Sequence, residues 1–259
     1  MTASVLTHRV EQCTVITLSD PGSRNALSPA LYAALVEALD TAADDAEVRS
    51  VVITGASGHF CAGGHLQRLD RARHGSREQQ AQAIDALHGL IDTLRALPKP
   101  VIAAVEGAAA GAGLSLALAC DLLVVSRDAR LVLSYGRVGL TPDGGATWLL
   151  SRSVPAQLVR EWVWLAQPIP AQSMHQLGLV NRLCEPGEAI REATALAAQL
   201  AGMAPNAVAA AKALLGSAGD RPLRAQMDAE RESFLDQLFH DNAGEGIAAF
   251  LQRRPPAFR

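Results

Sequence analysis

Lysine is almost absent from this chain, because Lys99 and Lys212 are the only lysines among 23 basic residues. A Walker-type phosphate loop needs a Gly-Lys-Ser/Thr run, and no lysine lies beside either glycine-rich turn of the sequence, so that class is excluded. Acidic residues number 26 and the net charge is −3, which gives no reason to expect a nucleic acid as a partner. The abundant arginine suits bidentate contacts with phosphate groups.

Cysteine is also scarce and scattered. The four cysteines form no CxxC pair and no Cys/His cluster, so we expect neither a metal site nor a disulfide framework: Cys13, Cys61, Cys120 and Cys184. Such usage is typical of a reducing compartment, and we expect a cytoplasmic protein. Residues 1–11 contain no apolar signal core. The longest apolar run, residues 101–120, is broken by Glu106 and three glycines, which indicates a buried strand, turn and helix rather than a membrane span.

The first part of the chain shows strand, helix and loop signals in turn. Residues 5–18 predict a strand or hairpin, and residues 51–54 predict a short buried strand. Ser28 followed by Pro29 is typical of an N-cap and a first helical position, so a helix is expected from there to about residue 43. Residues 67–82 are charged and irregular, and we expect a mobile surface segment or lid.

Strands and helices continue to alternate further along. Residues 84–97 keep helical spacing, and residues 101–105 predict a strand that leads through a glycine-rich turn into a helix at residues 113–120. A strand at residues 122–125 follows, with strand and turn signals at 131–133 and 138–145. From about residue 155 the pattern is mostly helical. This alternation predicts an α/β fold with buried sheets.

Two glycine-rich turns, residues 58–66 and 106–113, each follow a strand rich in β-branched residues. Glycine and alanine there let the backbone approach a ligand closely, and the second turn opens a helix whose terminal amides favour negative charge. Two such amides aimed at one point would form an oxyanion hole. The alternative is that the glycines serve only tight packing. A Rossmann fingerprint is not matched, because Leu116 stands where a third glycine should be.

Several motifs, in order along the chain, resemble the enoyl-CoA hydratase/isomerase (crotonase) superfamily over essentially the whole length. They are Arg24-Asn25-Ala26-Leu27-Ser28, Phe60-Cys61-Ala62-Gly63-Gly64, Lys99-Pro100-Val101-Ile102-Ala103-Ala104-Val105-Glu106-Gly107, Ala117-Leu118-Ala119-Cys120-Asp121-Leu122, Val138-Gly139-Leu140-Thr141-Pro142-Asp143-Gly144-Gly145, Leu177-Gly178-Leu179-Val180 and Phe250-Leu251-Gln252-Arg253-Arg254-Pro255. The resemblance implies a ClpP-like superhelix of ββα units over residues 1–200 and a helical C-terminal region, residues 201–259, used in assembly. A homotrimer or a hexamer of paired trimers is expected.

The resemblance also implies a binding site for an acyl-CoA thioester, with coenzyme A entering as part of the substrate and no separate cofactor or metal. The oxyanion donors would be the backbone N–H groups of Gly64 and Ala112. The positions expected to contact coenzyme A are Arg24, Ala26, Ala62 and Leu66, with Arg253 or Arg254 reaching its phosphates. This sequence carries His65 where many relatives carry aspartate, so any role of that aspartate does not transfer.

The residues that distinguish the reaction differ from the hydratase pattern. Ser115 and Tyr135 occupy the positions of the two hydratase glutamates, and neither hydroxyl can replace a carboxylate as acid or base near neutral pH. Asp143 is the carboxylate that remains at a family active-site position, where several isomerases, including the ring-epoxide isomerase of bacterial phenylacetate catabolism, carry aspartate. We therefore expect an enoyl-CoA or ring-epoxide-CoA isomerase that uses Asp143 as acid and base. A turn aspartate that only caps backbone amides is the structural alternative.

Three other functions stay open at this point. The first is an enoyl-CoA hydratase or an oxepin-CoA hydrolase in fatty-acid or aromatic-acid catabolism. The second is an aryl-CoA dehalogenase, in which Asp143 would attack the ring while His88 activates water and Tyr135 stands in for a tryptophan. His88 on a helix is equally explained as a packing residue. The third is a relative that binds CoA or RNA and has lost its chemistry.

Overall fold

The computed structural model describes residues 3–259 and contains two β-sheets surrounded by helices. The strands are β1 (Ser4–Val10), β2 (Cys13–Ser19), β3 (Ser50–Gly55), β4 (Val101–Val105), β5 (Ala108–Ala110), β6 (Leu122–Ser126), β7 (Arg130–Val132), β8 (Ile169–Pro170) and β9 (Arg182–Cys184). The α/β class expected from the alternating pattern is confirmed.

Eleven α-helices lie in the described part of the chain. They are α1 (Pro29–Asp44), α2 (Leu66–Ala72), α3 (Arg77–Ala96), α4 (Ala112–Ala119), α5 (Ala146–Ser153), α6 (Ala156–Leu165), α7 (Ala171–Gln176), α8 (Ala189–Ala201), α9 (Pro205–Ala218), α10 (Leu223–Leu238) and α11 (Asp241–Gln252). The helical C-terminal region is thus present as expected. None of these helices is both long and apolar enough to cross a membrane.

The larger sheet has six strands in the order β1-β2-β3-β4-β6-β9. β1 and β2 form an antiparallel hairpin, and every other neighbouring pair in this sheet is parallel. The carboxyl ends of β3 and β4 therefore point the same way, and the two glycine-rich turns leave the sheet from the same edge. The smaller sheet, in the order β5-β7-β8, begins within the second glycine-rich turn, because β5 lies inside residues 106–113.

Alternation along the strands divides the core into two layers. Val51 and Ile53 of β3 belong to a large cluster that includes the inward faces of α1, α3 and α4, whereas Val52 belongs to a second cluster. That second cluster is completed by the small side chains of α8, which pack against the opposite face of the sheet: Ala189, Ala193 and Ala197. Period-two burial on both faces explains why these strands are apolar at every position.

The helix that begins at Pro29 confirms its predicted N-terminus. Ser28 is the N-cap, and its side-chain oxygen accepts a hydrogen bond from the Leu31 N–H at 3.3 Å. Pro29 at the first position loses no hydrogen bond, because that N–H has no partner within a helix. One side of the helix, carrying Leu35 and Leu39, is fully buried against the sheet.

The prediction of an irregular segment at residues 67–82 is wrong. Residues up to Ala72 form α2, and α3 begins at Arg77 with Ser76 as its N-cap. The charged and amide side chains that suggested a loop are good helix formers on exposed positions. The strand signal at residues 138–145 is also not realised, because a short 3-10 helix, Ser134–Val138, leads there into a turn.

Candidate active site

The two glycine-rich turns lie side by side and are joined by backbone hydrogen bonds. The Cys61 N–H donates to the Ala108 carbonyl at 2.9 Å, and the Ala110 N–H donates back to the Cys61 carbonyl at 2.9 Å. The Phe60 N–H also donates to the Glu106 carbonyl at 2.8 Å. These bonds hold the segment after β3 parallel to β5, so the two turns are fixed relative to one another.

Two of the glycines are required by how closely the turns approach. A Cβ on Gly63 would lie 2.3 Å from the Ala110 oxygen, and φ of +85° there is itself unfavourable for other residues. A Cβ on Gly113 would lie 2.3 Å from the Cys61 oxygen. Tight packing is thus part of the role of these glycines, and it brings the Gly63–Gly64 backbone against the start of α4.

The amides of Gly64 and Ala112 remain free. Neither N–H donates to any residue that the structure describes. Ala112 is the first residue of α4, where the helix geometry leaves N–H groups without partners. The backbones meet closely, since a Cβ on Gly63 would be 3.3 Å from the Ala112 nitrogen. Two neighbouring unpaired donors, one at a helix N-terminus, can bind a carbonyl oxygen and favour negative charge on it.

A third segment, residues 24–27, borders the same turn. The Ala62 N–H donates to the Arg24 carbonyl at 3.0 Å, and the Leu27 N–H donates to the Gly63 carbonyl at 2.7 Å. The guanidinium-bearing residue Arg24 is exposed, whereas Ala26 is buried. The structure therefore brings together three of the four nearby positions expected to contact coenzyme A.

Asn25 fixes this arrangement and was not singled out by the sequence. Its side chain is fully buried, and its amide nitrogen donates to the carbonyls of Ala56 at 2.9 Å and His59 at 2.7 Å. Its side-chain oxygen accepts from the Asp20 N–H at 2.9 Å. A buried polar residue whose φ is +59° is tolerated because these bonds satisfy it. Asn25 thereby connects the loop that precedes Phe60 to Asp20, which directly follows β2.

The remaining expected CoA contacts are less closely grouped. Leu66 is 55% exposed on the first turn of α2. Arg254 is already paired, since its guanidinium donates two hydrogen bonds to Glu245 at 2.6 and 2.8 Å. Arg253 is exposed just after α11. No hydrogen bond within the described chain joins either arginine to the Arg24–Ala62 segment.

Three residues from separate parts of the chain form a hydrogen-bonded cluster beside α4. The Tyr135 hydroxyl donates to the Asp143 carboxylate at 2.6 Å. The Ser115 hydroxyl donates to the Asp143 backbone carbonyl at 2.9 Å and lies 3.3 Å from the Tyr135 hydroxyl. A Cβ on Gly111 would be 3.7 Å from the Tyr135 ring, so this cluster adjoins the residue before Ala112. The Asp143 carboxylate is thus held near the helix N-terminus that carries a free amide.

The Tyr135 hydroxyl is a hydrogen-bond donor rather than a base. Burial raises the pKa of Tyr135 well above its ordinary value, and the negative charge of Asp143 raises that pKa further. Cys61, fully buried within the first turn, has its pKa raised to about 12 by burial. A thiol of this kind is inert as a nucleophile. Asp143 is consequently the one carboxylate of the cluster and its candidate acid or base.

A family model described as enoyl-CoA hydratase/isomerase matches residues 9–259. The chain belongs to the enoyl-CoA hydratase/isomerase family. This confirms the crotonase superfamily and its fold. The chain is 51% identical, with a TM-score of 0.98, to a solved enoyl-CoA hydratase from Polaromonas sp. JS666, over 99% of this chain and 100% of that one.

Curated members of the enoyl-CoA hydratase/isomerase family include proteins named for different reactions. The chain is 35% identical to 2,3-dehydroadipyl-CoA hydratase of Escherichia coli K12, over 99% of each chain. It is 32% identical to 1,2-epoxyphenylacetyl-CoA isomerase of the same strain, over 98% of this chain and 97% of that one. Family membership establishes an acyl-CoA enzyme of the hydratase/isomerase type, while the choice between the two reactions depends on the site.

Two histidines of this family member lie outside the cluster. His88 is exposed on α3, next to the buried Leu87, and donates to or accepts from none of the described residues, Asp143 included. His65, the replacement for the common aspartate, is the N-cap of α2, and its Nδ1 accepts from the Arg68 N–H at 3.4 Å. A helix-capping role therefore accounts for His65.

Sequence reasoning did not single out two further polar side chains on α1 and α2. Tyr32 lies on the buried face of α1 and is 5% exposed. Arg68 lies on α2 and is half-buried. Helical spacing marks Tyr32 only as a core residue, and no local pattern distinguishes Arg68 from the other arginines of its charged segment, so the sequence held no signal for either.

Proposed function

We propose that this chain is an isomerase of acyl-CoA thioesters, with an enoyl-CoA or a ring-epoxide-CoA as substrate and Asp143 as the acid and base. The observation that carries the proposal is the 2.6 Å hydrogen bond from the Tyr135 hydroxyl to the Asp143 carboxylate beside the start of α4. Hydroxyl residues, Ser115 and Tyr135, stand where the hydratase pattern has glutamates. Asp143 is therefore the one carboxylate of this cluster.

The proposed chemistry moves one proton and needs no water or cofactor. The thioester carbonyl accepts hydrogen bonds from the amides of Gly64 and Ala112, which stabilise the enolate oxygen that develops. With a 3-enoyl-CoA, Asp143 removes a proton from the carbon alpha to that carbonyl, and the electrons of the C–H bond become part of a dienolate. The protonated Asp143 returns the proton to a different carbon, so the double bond moves. Each oxyanion donor contributes roughly 10²–10³ in rate in comparable sites.

Hydration is the second candidate, and the relatives favour it. The 35% identical Escherichia coli protein and the solved Polaromonas protein are both named hydratases. In that reading, which includes hydrolysis of an oxepin-CoA, Asp143 would activate a water molecule, and a hydroxyl of Ser115 or Tyr135 would orient it. Addition of water without the second carboxylate lacks a general acid near neutral pH, which is why isomerisation is preferred.

The proposal does not extend to dehalogenation or to a chemically inactive protein. Dehalogenation would need His88 to activate water beside Asp143, and His88 is exposed without a hydrogen bond to it. The inactive alternative would not account for a carboxylate that accepts a hydrogen bond from the Tyr135 hydroxyl next to free amides. Both alternatives remain outcomes of the experiment below.

We further infer that the chain assembles as a homotrimer or as a hexamer of paired trimers through residues 201–259. The support is the exposure of large apolar side chains on the last helices, including Phe234 at 66%, Phe239 at 85% and Phe250 at 84%. Isolated apolar side chains are common on surfaces, but three exposed phenylalanines on and between two consecutive helices, α10 and α11, are typical of a contact surface. Sedimentation analysis of the purified protein measures the assembly directly.

The activity test is turnover of an acyl-CoA panel in D₂O by the wild type and by Asp143→Asn. The panel contains a 3-enoyl-CoA, a 2-enoyl-CoA, an aromatic ring-epoxide CoA and 4-chlorobenzoyl-CoA, and products are identified by mass and deuterium content. We expect isomerised product that contains deuterium. Asp143→Asn should lower kcat by roughly 10²–10⁴, the usual contribution of a general acid or base.

The matched control is Asp92→Asn, an exposed aspartate on α3, which should keep wild-type rates. Binding of coenzyme A to each variant shows whether the site is intact. Undiminished isomerisation by Asp143→Asn would remove the proposed base. A hydrated product would establish the second candidate, loss of chloride would establish dehalogenation, and no turnover of any thioester would support an inactive relative.

A further inference from the structure

The two carboxylate oxygens of Asp143 lie in different surroundings. Oδ1 accepts the 2.6 Å hydrogen bond from the Tyr135 hydroxyl. Oδ2 accepts no hydrogen bond from any residue that the structure describes, and it is not among the buried side-chain atoms that lack a partner. Oδ2 is therefore accessible from outside the protein, whereas Oδ1 is occupied. A proton of a bound substrate can reach the carboxylate at Oδ2.

The distances assign the hydroxyl protons of Tyr135 and Ser115. Each hydroxyl has one proton to donate. The Tyr135 proton goes to Asp143 Oδ1, and Tyr135 keeps it because burial raises the pKa of Tyr135 well above its ordinary value. The Ser115 hydroxyl lies 2.9 Å from the Asp143 backbone carbonyl but 3.3 Å from the Tyr135 oxygen, so its proton goes to the carbonyl. Both donors thus point at Asp143, one at its side chain and one at its backbone.

Ser115 connects Asp143 to the helix that carries the Ala112 amide. It is fully buried on α4, three residues after Ala112, and its hydroxyl lies 3.4 Å from the Gly111 carbonyl. The backbone that follows Asp143 packs directly on this serine, because a Cβ on Gly144 would be 3.0 Å from the Ser115 Cβ. Contacts with one buried serine therefore fix the backbone of Asp143 relative to the first turn of α4.

The orientation of a catalytic carboxylate affects the rate of proton transfer. Rotation about the terminal bond of an aspartate side chain exchanges its two oxygens, and this torsion has only broad energy wells. A general base must lie within hydrogen-bond reach of the proton it removes. A displacement of about 1 Å can lower the rate by roughly 10²-fold. A donor on Oδ1 of Asp143 restricts the rotation and keeps Oδ2 in one place.

We propose that Tyr135 and Ser115 are positioning residues for the proton transfer, which orient Asp143 so that Oδ2 is the atom that exchanges the proton. The inference rests on the proposed function, because it takes Asp143 as the base. With a 3-enoyl-CoA, Oδ2 forms a bond to the alpha proton, and the C–H electron pair enters the dienolate. The dienolate then forms a C–H bond at the gamma carbon, and the O–H electron pair returns to Oδ2. Tyr135 and Ser115 neither gain nor lose a proton.

The pH dependence of kcat in Tyr135→Phe tests the first hydroxyl, because this substitution removes one oxygen and keeps the ring. With a 3-enoyl-CoA, kcat should fall by roughly 10–100-fold while KM stays within about 3-fold, since the amides that bind the thioester are unchanged. The acidic limb of the kcat profile should move to higher pH by about one unit, because a hydrogen bond to a carboxylate favours its ionised form. A merely structural role would lower activity without moving this limb.

Ser115→Ala tests the second hydroxyl. We expect kcat to fall by roughly 2–10-fold, the effect of one lost hydrogen bond. The acidic limb should stay within about 0.3 pH units of the wild type, because the Ser115 proton is donated to a backbone carbonyl and not to the carboxylate. The matched control is Ser153→Ala, an exposed serine on α5 whose hydroxyl donates to the Leu149 carbonyl, and it should keep the wild-type kcat and pH profile.

Thermal unfolding and binding of a saturated acyl-CoA show whether each variant keeps its fold and its site. A wild-type kcat with an unmoved acidic limb in Tyr135→Phe would overturn the proposal. So would an equal loss of kcat and of affinity for the saturated thioester, which would indicate disturbed packing. A wild-type rate in Ser115→Ala would overturn the role assigned to Ser115.

A double variant shows whether Tyr135 acts through Asp143. If it does, adding Tyr135→Phe to Asp143→Asn should change the residual rate of deuterium uptake by less than about 3-fold, because residues that act as a unit are not additive. The full effect of Tyr135→Phe in the Asp143→Asn background would show that the hydroxyl acts independently and would overturn the proposal.

The same variants distinguish this inference from the proposed function. Loss of isomerisation in Asp143→Asn but not in Tyr135→Phe would retain the base and reject the positioning role. A hydrated product whose rate responds to Tyr135→Phe as described would retain the positioning role and reject isomerisation. Undiminished isomerisation by Asp143→Asn would reject both.

Discussion

The sheet-bearing part of the chain and its last three helices differ in where their apolar side chains lie. In the first part, large side chains such as Phe60, Leu39 and Ile102 are fully buried in clusters on both faces of the six-stranded sheet. In α9, α10 and α11 the buried residues are only Gln226, Asn242 and Ala249.

This difference indicates how each part is stabilised. The first part buries enough apolar surface to stabilise itself, and its glycine-rich turns are fixed on that core. The last three helices expose apolar surface that burial against another chain would remove from water, at about 25 cal/mol for each Å². Each of these segments can form its helix through local interactions, but its exposed apolar surface is buried only if another chain packs against it. Substitutions of the same type in the two parts should therefore have different effects.

The largest expected effect is on the core. Phe60→Ala removes a fully buried ring and should lower the free energy of unfolding by about 3–5 kcal/mol. Because the ring packs within one chain, the loss should be the same at low and high protein concentration. Denaturant unfolding at two concentrations measures it, and a loss below ~1 kcal/mol would show that the core is not the source of stability.

Two glycine-to-alanine substitutions should change the free energy of unfolding in opposite directions. In Gly113→Ala the new Cβ would lie 2.3 Å from the Cys61 oxygen, which should destabilise the fold by about 1–3 kcal/mol through overpacking. Activity should fall further, because the two turns are displaced. In Gly244→Ala, on α11, the Cβ meets nothing within 4 Å, and helix propensity predicts a gain of about 0.5–1 kcal/mol. Thermal and denaturant unfolding of both variants measures the change in stability, and turnover assays measure the change in activity. A change of stability in the same direction for both variants would contradict this prediction.

Assembly should respond to the exposed aromatic surface. Phe250→Ser removes a ring that is 84% exposed in the single chain and should shift the protein toward smaller species, with little change of helix content. Its effect on unfolding should grow with protein concentration, unlike that of Phe60→Ala, because only an assembled protein loses a contact. Sedimentation velocity measures the species. An unchanged assembly would place the interface elsewhere, and Leu6→Ser, an exposed position on β1, is the control.

The smallest expected effect is on the pH dependence of stability. It comes from the ion pair between Glu245 of α11 and Arg254, which follows that helix. The hydrogen bonds from Arg254 lower the pKa of Glu245 from 4.5 to about 2. A lowered pKa in the folded state stabilises the fold above pH 4.5, and this contribution is lost as the pH falls toward 2. The stability difference between the wild type and Glu245→Gln should therefore shrink over that window and stay constant above it. A stability difference between the two proteins that is the same at every pH would contradict the ion pair of Glu245 with Arg254.

Much of the fold could be predicted because it depends on local patterns. The hairpin at β1 and β2, the Ser28 cap of α1 and the strand β4 each follow from alternation, capping or β-branched residues within a few positions. The prediction for residues 67–82 is wrong because charged side chains in an exposed helix have no apolar periodicity. The strand signal at residues 131–133 coincides with β7, but the pairing of the small sheet β5-β7-β8 does not follow from the sequence, because its strands have three residues or fewer and pair across the chain.

By itself, the sequence determined the α/β class, the two glycine-rich turns and the family, because these depend on residue types at fixed spacing. It also identified Gly64, Ala112 and Asp143 as candidates. The tertiary structure decided which groups meet: parallel strands bring the two turns to one edge, and hydrogen bonds join Ser115, Tyr135 and Asp143 across 28 positions of chain. Such proximity depends on packing between distant segments, which no local pattern records.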